Sequence, residues 1–297
     1  MQAFSHIGFI GLGVMGEPMC RNLTEKSGLP LTAFDTNPAP LARLVERGAL
    51  AATDTAAVMA VADVVFLSLP SGEIVHTLAH APDGLLARSR PGQIVIDTST
   101  SPVDSTRALH AAFAERGVVF VDAPIARTRA AAEAGTLSVM VGGEADVFAR
   151  IRSLIATYAT DIALCGPVGS GQVVKILNNM VLFETVTAFS EAHAIAQKAG
   201  VDPKVLFDCF TAGSADSFAL RNHGMKAVLP GNFPEKAFPV SYAAKDLRYA
   251  LELAEQTGVR ATGAANVKTW FDEAQAAGYS EQYFPVISKL MTGKSDK

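Results

Sequence analysis

Ile7-Gly8-Phe9-Ile10, then Gly11-Leu12-Gly13-Val14-Met15-Gly16, then, past a helical stretch, Leu31-Thr32-Ala33-Phe34-Asp35 are the residues that decide the fold. The two apolar runs predict buried strands, and the stretch between them predicts an α-helix. In that setting each glycine has its own task. Gly11 permits a tight turn, Gly13 lets backbone approach a pyrophosphate, and Gly16 lets the helix pack close to the strand. The helix start offers unpaired N–H groups and the positive end of its dipole to phosphate oxygens. The expected cofactor cradle is therefore the whole GLGVMG loop, including Leu12, Val14 and Met15. Asp35 lies about twenty residues past the loop, where a carboxylate accepts hydrogen bonds from ribose hydroxyls. The same charge repels a 2′-phosphate, which points to NAD rather than NADP. The competing reading of Asp35 is a turn residue ahead of a helix beginning at Asn37-Pro38.

Composition narrows the class. At 297 residues and 49% hydrophobic content the chain is long enough for two domains with substantial cores. Its net charge of −4 comes from acids and bases mixed along the sequence, with no basic stripe for nucleic acid. The longest apolar stretches are broken short of a membrane span, and no charged leader precedes a long apolar segment. Three cysteines, Cys20, Cys165 and Cys209, are widely spaced and odd in number, as expected of buried thiols in a reducing cytoplasm. The histidines show no ligand-like spacing, so no metal site is expected. No GxSxG elbow marks a serine hydrolase.

Up to about residue 165, short apolar runs alternate with helical segments. Val64–Leu69 reads as a buried strand ending at Pro70, Gln93–Asp97 as another and Val118–Asp122 as a third. Such continuous runs suit strands covered on both faces by helices. Ser101-Pro102 reads as an N-cap followed by proline at the first helical position. Leu137–Val141, ahead of Gly142-Gly143, reads as an edge-side strand. Together these predict a Rossmann-type, doubly wound α/β domain with a mostly parallel sheet over residues 1–166. Beyond Pro167 strand signals fade. A helical pattern runs from about Gly169 to Ala199, about 45 Å long, and stops at Gly200. It is expected to cross an interdomain cleft into an all-α domain over residues 167–297. Thr292–Lys297 reads as a solvated tail.

Ligands of doubly wound folds bind beyond the carboxyl ends of the strands. That places Leu69-Pro70-Ser71, Asp97-Thr98-Ser99-Thr100 and Asp122–Arg129 beside the glycine loop. The hydroxyls of Ser99 and Thr100 either bond cofactor or substrate, or serve local turn and cap bonding. On the long helix Gly171, Lys175 and Asn179 share one face at a spacing of four. Lys175 is either a rim lysine or an ammonium aimed at a ligand, with Gly171 leaving room beside it.

In their order, GLGVMG, Leu69-Pro70, DTSTSP, DAP…GTLSVMVGG, GSGQVVKILNN and AAKDL resemble the β-hydroxyacid dehydrogenase family related to 3-hydroxyisobutyrate dehydrogenase. The resemblance covers nearly the whole chain. It implies NAD-dependent interconversion of a small anionic β-hydroxy acid and its semialdehyde by a homodimer or homotetramer. It also implies Lys175 as the catalytic acid–base, partnered by Asn179 with Asn178 beside it at the substrate. Thr100 falls where the family meets the nicotinamide side of the cofactor, and Lys245 where a second lysine reaches it. The family's usual Ser-Gly-Gly is replaced here by Ala126-Arg127-Thr128. That departure resembles the Gly-Arg-Thr of the sulfolactaldehyde reductase branch and implies an arginine clamp on a sulfonate or second anionic group. Three other readings share the architecture. A 6-phosphogluconate-type decarboxylase is expected to be longer, an imine reductase usually lacks the lysine, and a non-catalytic NAD sensor needs no lysine–asparagine pair.

Overall fold

The computed structural model describes residues 4–235 and 237–293. The chain divides into two compact units, residues 1–175 and 176–297. That division falls inside the long helix. The first turns of the helix are tied to the sheet of the first unit, as described below.

In the first unit, β1 (Ile7–Ile10), β2 (Leu31–Phe34), β3 (Leu50–Ala51), β4 (Val64–Leu67), β5 (Ile94–Asp97) and β6 (Val119–Asp122) lie parallel in the order β3-β2-β1-β4-β5-β6. The chain leaves β1 for β2 on one side and returns to β4 on the other. That reversal is where doubly wound sheets bind ligands. Beyond β6, β7 (Ile125–Ala126) and β8 (Leu137–Gly142) pair antiparallel, and β9 (Ala159–Gly166) runs parallel to β8. The helices are α1 (Gly16–Lys26), α2 (Pro38–Val45), α3 (Thr55–Val61), α4 (Gly72–His80), α5 (Leu85–Arg88), α6 (Val103–Ala114), α7 (Arg129–Ala134) and α8 (Ala145–Ile155).

Strand periodicity explains why both faces are dry. Ile7, Phe9, Val64, Phe66, Ile94 and Ile96 point into one core, while Ile10, Val65, Leu67, Val95 and Phe120 point into the other. Phe66 stacks on Phe9 at 6.0 Å and meets Tyr158 edge-on at 6.2 Å. Its truncation to alanine should cost about 3–5 kcal/mol.

Several expectations shift. β4 stops at Leu67, so Ser68-Leu69-Pro70 belongs to the loop. Leu137–Gly142 lies inside the sheet, and the edge strand is β9, whose largely exposed side chains give no buried-run signal. The N-cap of α6 is Pro102, without a side-chain cap, because the Ser101 hydroxyl donates to Asp97 instead (3.0 Å).

α9 (Ser170–Lys198) is the long helix, and it extends from the first unit into the second. Its most apolar 18-residue window has a mean hydropathy of 1.2, so by length and composition alone the helix could cross a membrane. Within the fold, however, it buries Gln172, Lys175, Asn179 and Ser190. These side chains suit a core helix rather than a lipid-facing one. The second unit continues with α10 (Pro203–Ala212), a π-helical stretch at Leu220–Val228, α11 (Val240–Gln256), α12 (Thr262–Ala276) and, after a short 3₁₀ turn, α13 (Ile287–Thr292). Among the described residues its only β-type pairings are two isolated bridges, Glu235 to Gln282 and Pro239 to Tyr283. Its core centres on Phe183, edge-on to Phe271 (5.4 Å) and Phe284 (5.2 Å). The expected tail begins inside α13, and residues 294–297 lie outside the described residues.

Candidate active site

The glycine loop has the geometry its spacing predicts. Gly11 sits at φ +96°, and a Cβ there would stand 2.3 Å from the Ser68 carbonyl oxygen. A Cβ on Gly16 would stand 2.0 Å from the Gly11 carbonyl oxygen, so the helix start packs on the loop as closely as glycine allows. Beside Gly13 nothing lies within 4 Å of a Cβ position. α1 begins at Gly16, with Met15 at the N-cap position and no side-chain cap. An open backbone face at an uncapped helix start fits a dinucleotide pyrophosphate. Asp35 serves as a turn residue and as a tie to the glycine loop. Oδ1 accepts the Asn37 N–H (2.7 Å) as a turn residue, and Oδ2 accepts the Leu12 N–H (2.5 Å), tying the end of β2 to the loop. Each oxygen keeps further acceptor capacity for a ribose hydroxyl.

At the ends of β5 and β6, Asp97 and Asp122 stand as neighbours in the sheet, both fully buried. Asp97 accepts from the Ser99 N–H (2.9 Å) and the Ser101 hydroxyl (3.0 Å). Burial pushes its carboxyl up to about 6; the hydrogen bonds from Ser99 and Ser101 oppose this, and the charge of Asp122 adds to it. Asp122 accepts the N–H groups of Gly169 (2.7 Å) and Gln172 (2.8 Å) at the start of α9. Burial raises its carboxyl too, opposed by those N–H groups. Ser99 accepts the Leu69 N–H on its hydroxyl (2.9 Å), so it joins the loops after β4 and β5 rather than capping a helix. Thr100 is half-buried beside it.

Gln172 had no predicted role. Its carboxamide donates to the Ser99 carbonyl (2.8 Å) and accepts the Ser101 N–H (3.0 Å). Gly171 leaves no room for a ligand, because a Cβ there would stand 2.3 Å from the Met140 carbonyl oxygen and 2.8 Å from Asp122 Oδ2. It is the close approach of α9 to β8 that requires glycine.

Lys175 is buried, with only 9% of its surface exposed. Asn179 follows one turn later on the same helix, also buried. The Asn179 amide donates to Asp246 Oδ2 (2.7 Å) and its oxygen accepts from Asn178 (3.2 Å). Asp246 Oδ1 is ion-paired with the Lys245 ammonium at 3.1 Å, which also lies 5.4 Å from the Tyr249 ring centre and 5.5 Å from that of Tyr242. The sequence singles out Asn179 and Lys245 but not the carboxylate that joins them. The signal was the acid adjoining Lys245 in Lys245-Asp246.

Arg127, read from the sequence as an anion clamp, has protein partners in this structure. Its guanidinium is ion-paired with Asp161 (2.8 Å) and donates to the Thr136 carbonyl (2.7 Å) and Thr160 (3.3 Å), toward the β9 edge. It also sits at φ +89°, among the described residues the only non-glycine position with positive φ. Thr128 precedes α7 without a side-chain cap, and Arg129 pairs with Glu133 on the exposed face of that helix.

Comparison with known proteins finds relatives over nearly the whole chain. Residues 6–166 match the family described as the NAD binding domain of 6-phosphogluconate dehydrogenase. Residues 169–290 match the NAD-binding domain of NADP-dependent 3-hydroxyisobutyrate dehydrogenase. A 2-(hydroxymethyl)glutarate dehydrogenase of Eubacterium barkeri is 34% identical across 99% of this chain and 98% of its own. An NAD-dependent L-serine dehydrogenase of Pseudomonas aeruginosa is 36% identical across 96% and 97%. The solved Mycobacterium tuberculosis 3-hydroxyisobutyrate dehydrogenase with L-serine superposes with a TM-score of 0.88 at 30% identity, covering 97% of this chain and 99% of that one. An imine reductase from Pseudomonas sp., at 17% identity and a TM-score of 0.63, shares the fold alone. Fold and relatives define an NAD-dependent oxidoreductase acting on the CH–OH group of hydroxy acids, not a sensor without chemistry. The chain belongs to the β-hydroxyacid dehydrogenase family related to 3-hydroxyisobutyrate dehydrogenase.

Proposed function

We propose that the substrate is a small β-hydroxy acid whose alcohol is interconverted with its semialdehyde, and that Lys175 moves the proton. The observation that carries this reading is a buried lysine one turn from Asn179, whose carboxamide is itself held by Asp246. The GLGVMG loop and Asp35 would hold NAD, with Leu69, Pro70, Thr100 and Lys245 as further contacts. When bound, NAD supplies or accepts the hydride. In the oxidative direction neutral Lys175 takes the hydroxyl proton. In reduction its ammonium bonds the carbonyl oxygen, steadies the developing negative charge and returns the proton. Oxidation therefore gains from rising pH until the lysine is neutral. Asn179, with Asn178 beside it, orients the substrate hydroxyl, and Ser99 and Thr128 bind its acidic group. A cytoplasmic homodimer or homotetramer belongs to the same reading. Association is supported by apolar side chains left exposed along α9, among them Val181 and Ile195.

A sulfonate or second carboxylate is the finer alternative, favoured by an arginine at position 127. Its ion pair with Asp161 favours a structural role. The test is a substrate panel: NAD⁺ with 3-hydroxyisobutyrate, L-serine and 2-(hydroxymethyl)glutarate, and NADH with sulfolactaldehyde or tartronate semialdehyde. Wild type and Arg127→Ala are compared on each. Turnover of at least one carboxylate substrate is expected, with Arg127→Ala within about threefold of wild type. Turnover of sulfolactaldehyde alone, lost in Arg127→Ala, would instead make Arg127 the sulfonate clamp.

A further inference from the structure

We infer that Gln172 is a positioning residue that sets Thr100 and Lys175 in register. The inference rests on the acid–base role proposed for Lys175. Gln172 is fully buried, and both ends of its carboxamide bond the backbone after β5. Nε2 donates to the Ser99 carbonyl (2.8 Å) and Oε1 accepts the Ser101 N–H (3.0 Å). These two groups flank Thr100, so one planar amide bridges the backbone on either side of that residue. From behind, the Gln172 N–H donates to Asp122 Oδ2 (2.8 Å), and the other Asp122 oxygen takes the Gly169 N–H (2.7 Å). The residue is thus fixed to β6 by its backbone and fixes the β5 loop by its side chain. Lys175 lies three residues further along α9, about one turn on.

No other side chain of similar shape performs this bridge. Asparagine is one methylene shorter, methionine has neither donor nor strong acceptor, and ionised glutamate accepts but cannot donate to the Ser99 carbonyl. Catalysis is sensitive to such registration, since a displacement of about 1 Å lowers rates on the order of 100-fold. Gln172 touches neither reacting atom in this account; it acts through Thr100 and Lys175.

The experiment compares Gln172→Met, Gln172→Glu and Lys175→Met with the wild-type full chain. The first readout is amide hydrogen exchange at Ser101 in protein without added NAD. Gln172→Met should accelerate exchange there at least tenfold while strand amides such as Ile96 keep their rates. The second is turnover of whichever panel substrate wild type uses fastest. Gln172→Met should lower kcat about 30-fold or more, in line with a displacement of that size, while KM for NAD stays within about threefold. Gln172→Glu should regain activity, relative to wild type at the same pH, as its carboxyl is protonated and recovers the donor. If Gln172→Met does not fold, the pH response of Gln172→Glu decides alone, and a flat low profile overturns the inference. Unchanged Ser101 exchange, or kcat within threefold in a folded Gln172→Met, overturns it too. Loss of turnover in Lys175→Met with Gln172→Met unimpaired leaves the acid–base reading standing and removes only this inference. Full turnover in Lys175→Met removes both.

Discussion

Within α9, residue 172 and residue 179 are anchored by different chemistry. Around Gln172 the helix start is held through backbone: two N–H groups enter the buried carboxylate of Asp122, and a carboxamide grips a loop carbonyl and N–H. Around Asn179 the helix is held through side chains, with Asp246 joining Asn179 to Lys245 between two tyrosine rings. The first arrangement neutralises a buried charge with a helix N-terminus, the second with an ammonium. A backbone anchor fixes where the helix lies. A side-chain anchor fixes which way one functional group points.

Substitutions can break this contrast. Asp122→Ala removes the acceptor of two buried N–H groups, each worth about 1–3 kcal/mol when stranded. A loss of about 2–5 kcal/mol in chemical denaturation is expected, and a loss below 1 kcal/mol would mean that α9 starts without the carboxylate. Asp246→Ala strands the Asn179 amide and removes the carboxylate paired with Lys245. It should cost about 1–3 kcal/mol and lower kcat, with little effect on the melting of the first unit. Equal destabilisation by the two substitutions would erase the distinction.

Asp97→Asn sharpens it by pH. Burial raises Asp97 from 3.8 to about 6, so the folded state retains a proton that the unfolded chain releases. The stability linked to that proton is full below the unfolded value and is lost as pH rises through about 6. The variant should therefore exceed wild type by about 1–3 kcal/mol above pH 7, with the gap closing toward pH 4. A gap independent of pH would contradict a buried titrating carboxyl. The smallest effect is expected at Arg127→Gly. The left-handed backbone there costs about 1–3 kcal/mol in a non-glycine residue, and the half-exposed pair with Asp161 returns at most about 1 kcal/mol. The melting temperature should hold or rise slightly. A marked fall would show that the arginine anchors the β9 edge.

Much of this was legible in the sequence. The continuous apolar runs of β1, β4, β5 and β6, the glycine loop with Asp35 and a 29-residue α9 follow from local pattern. β9 escaped because its exposed side chains carry no buried run, and Gly171 was misread because a missing side chain looks alike whether ligand or backbone fills the space. The anchors escaped for a different reason. Asp122 meets Gln172 across 50 residues, Asp246 meets Asn179 across 67, and Arg127 meets Thr160 across 33. No local spacing encodes such pairs. Helix periodicity could put Lys175 and Asn179 on one face, but it could not say which carboxylates hold that face in place.

The most direct test of the central claim is turnover by Lys175→Met, measured with NADH affinity on the same preparation by nucleotide fluorescence. The account predicts a loss of at least about a thousandfold in kcat, as expected when a single group serves both as proton donor and as electrostatic stabiliser, with NADH binding within about threefold of wild type. Turnover near wild type with intact NADH binding would contradict it.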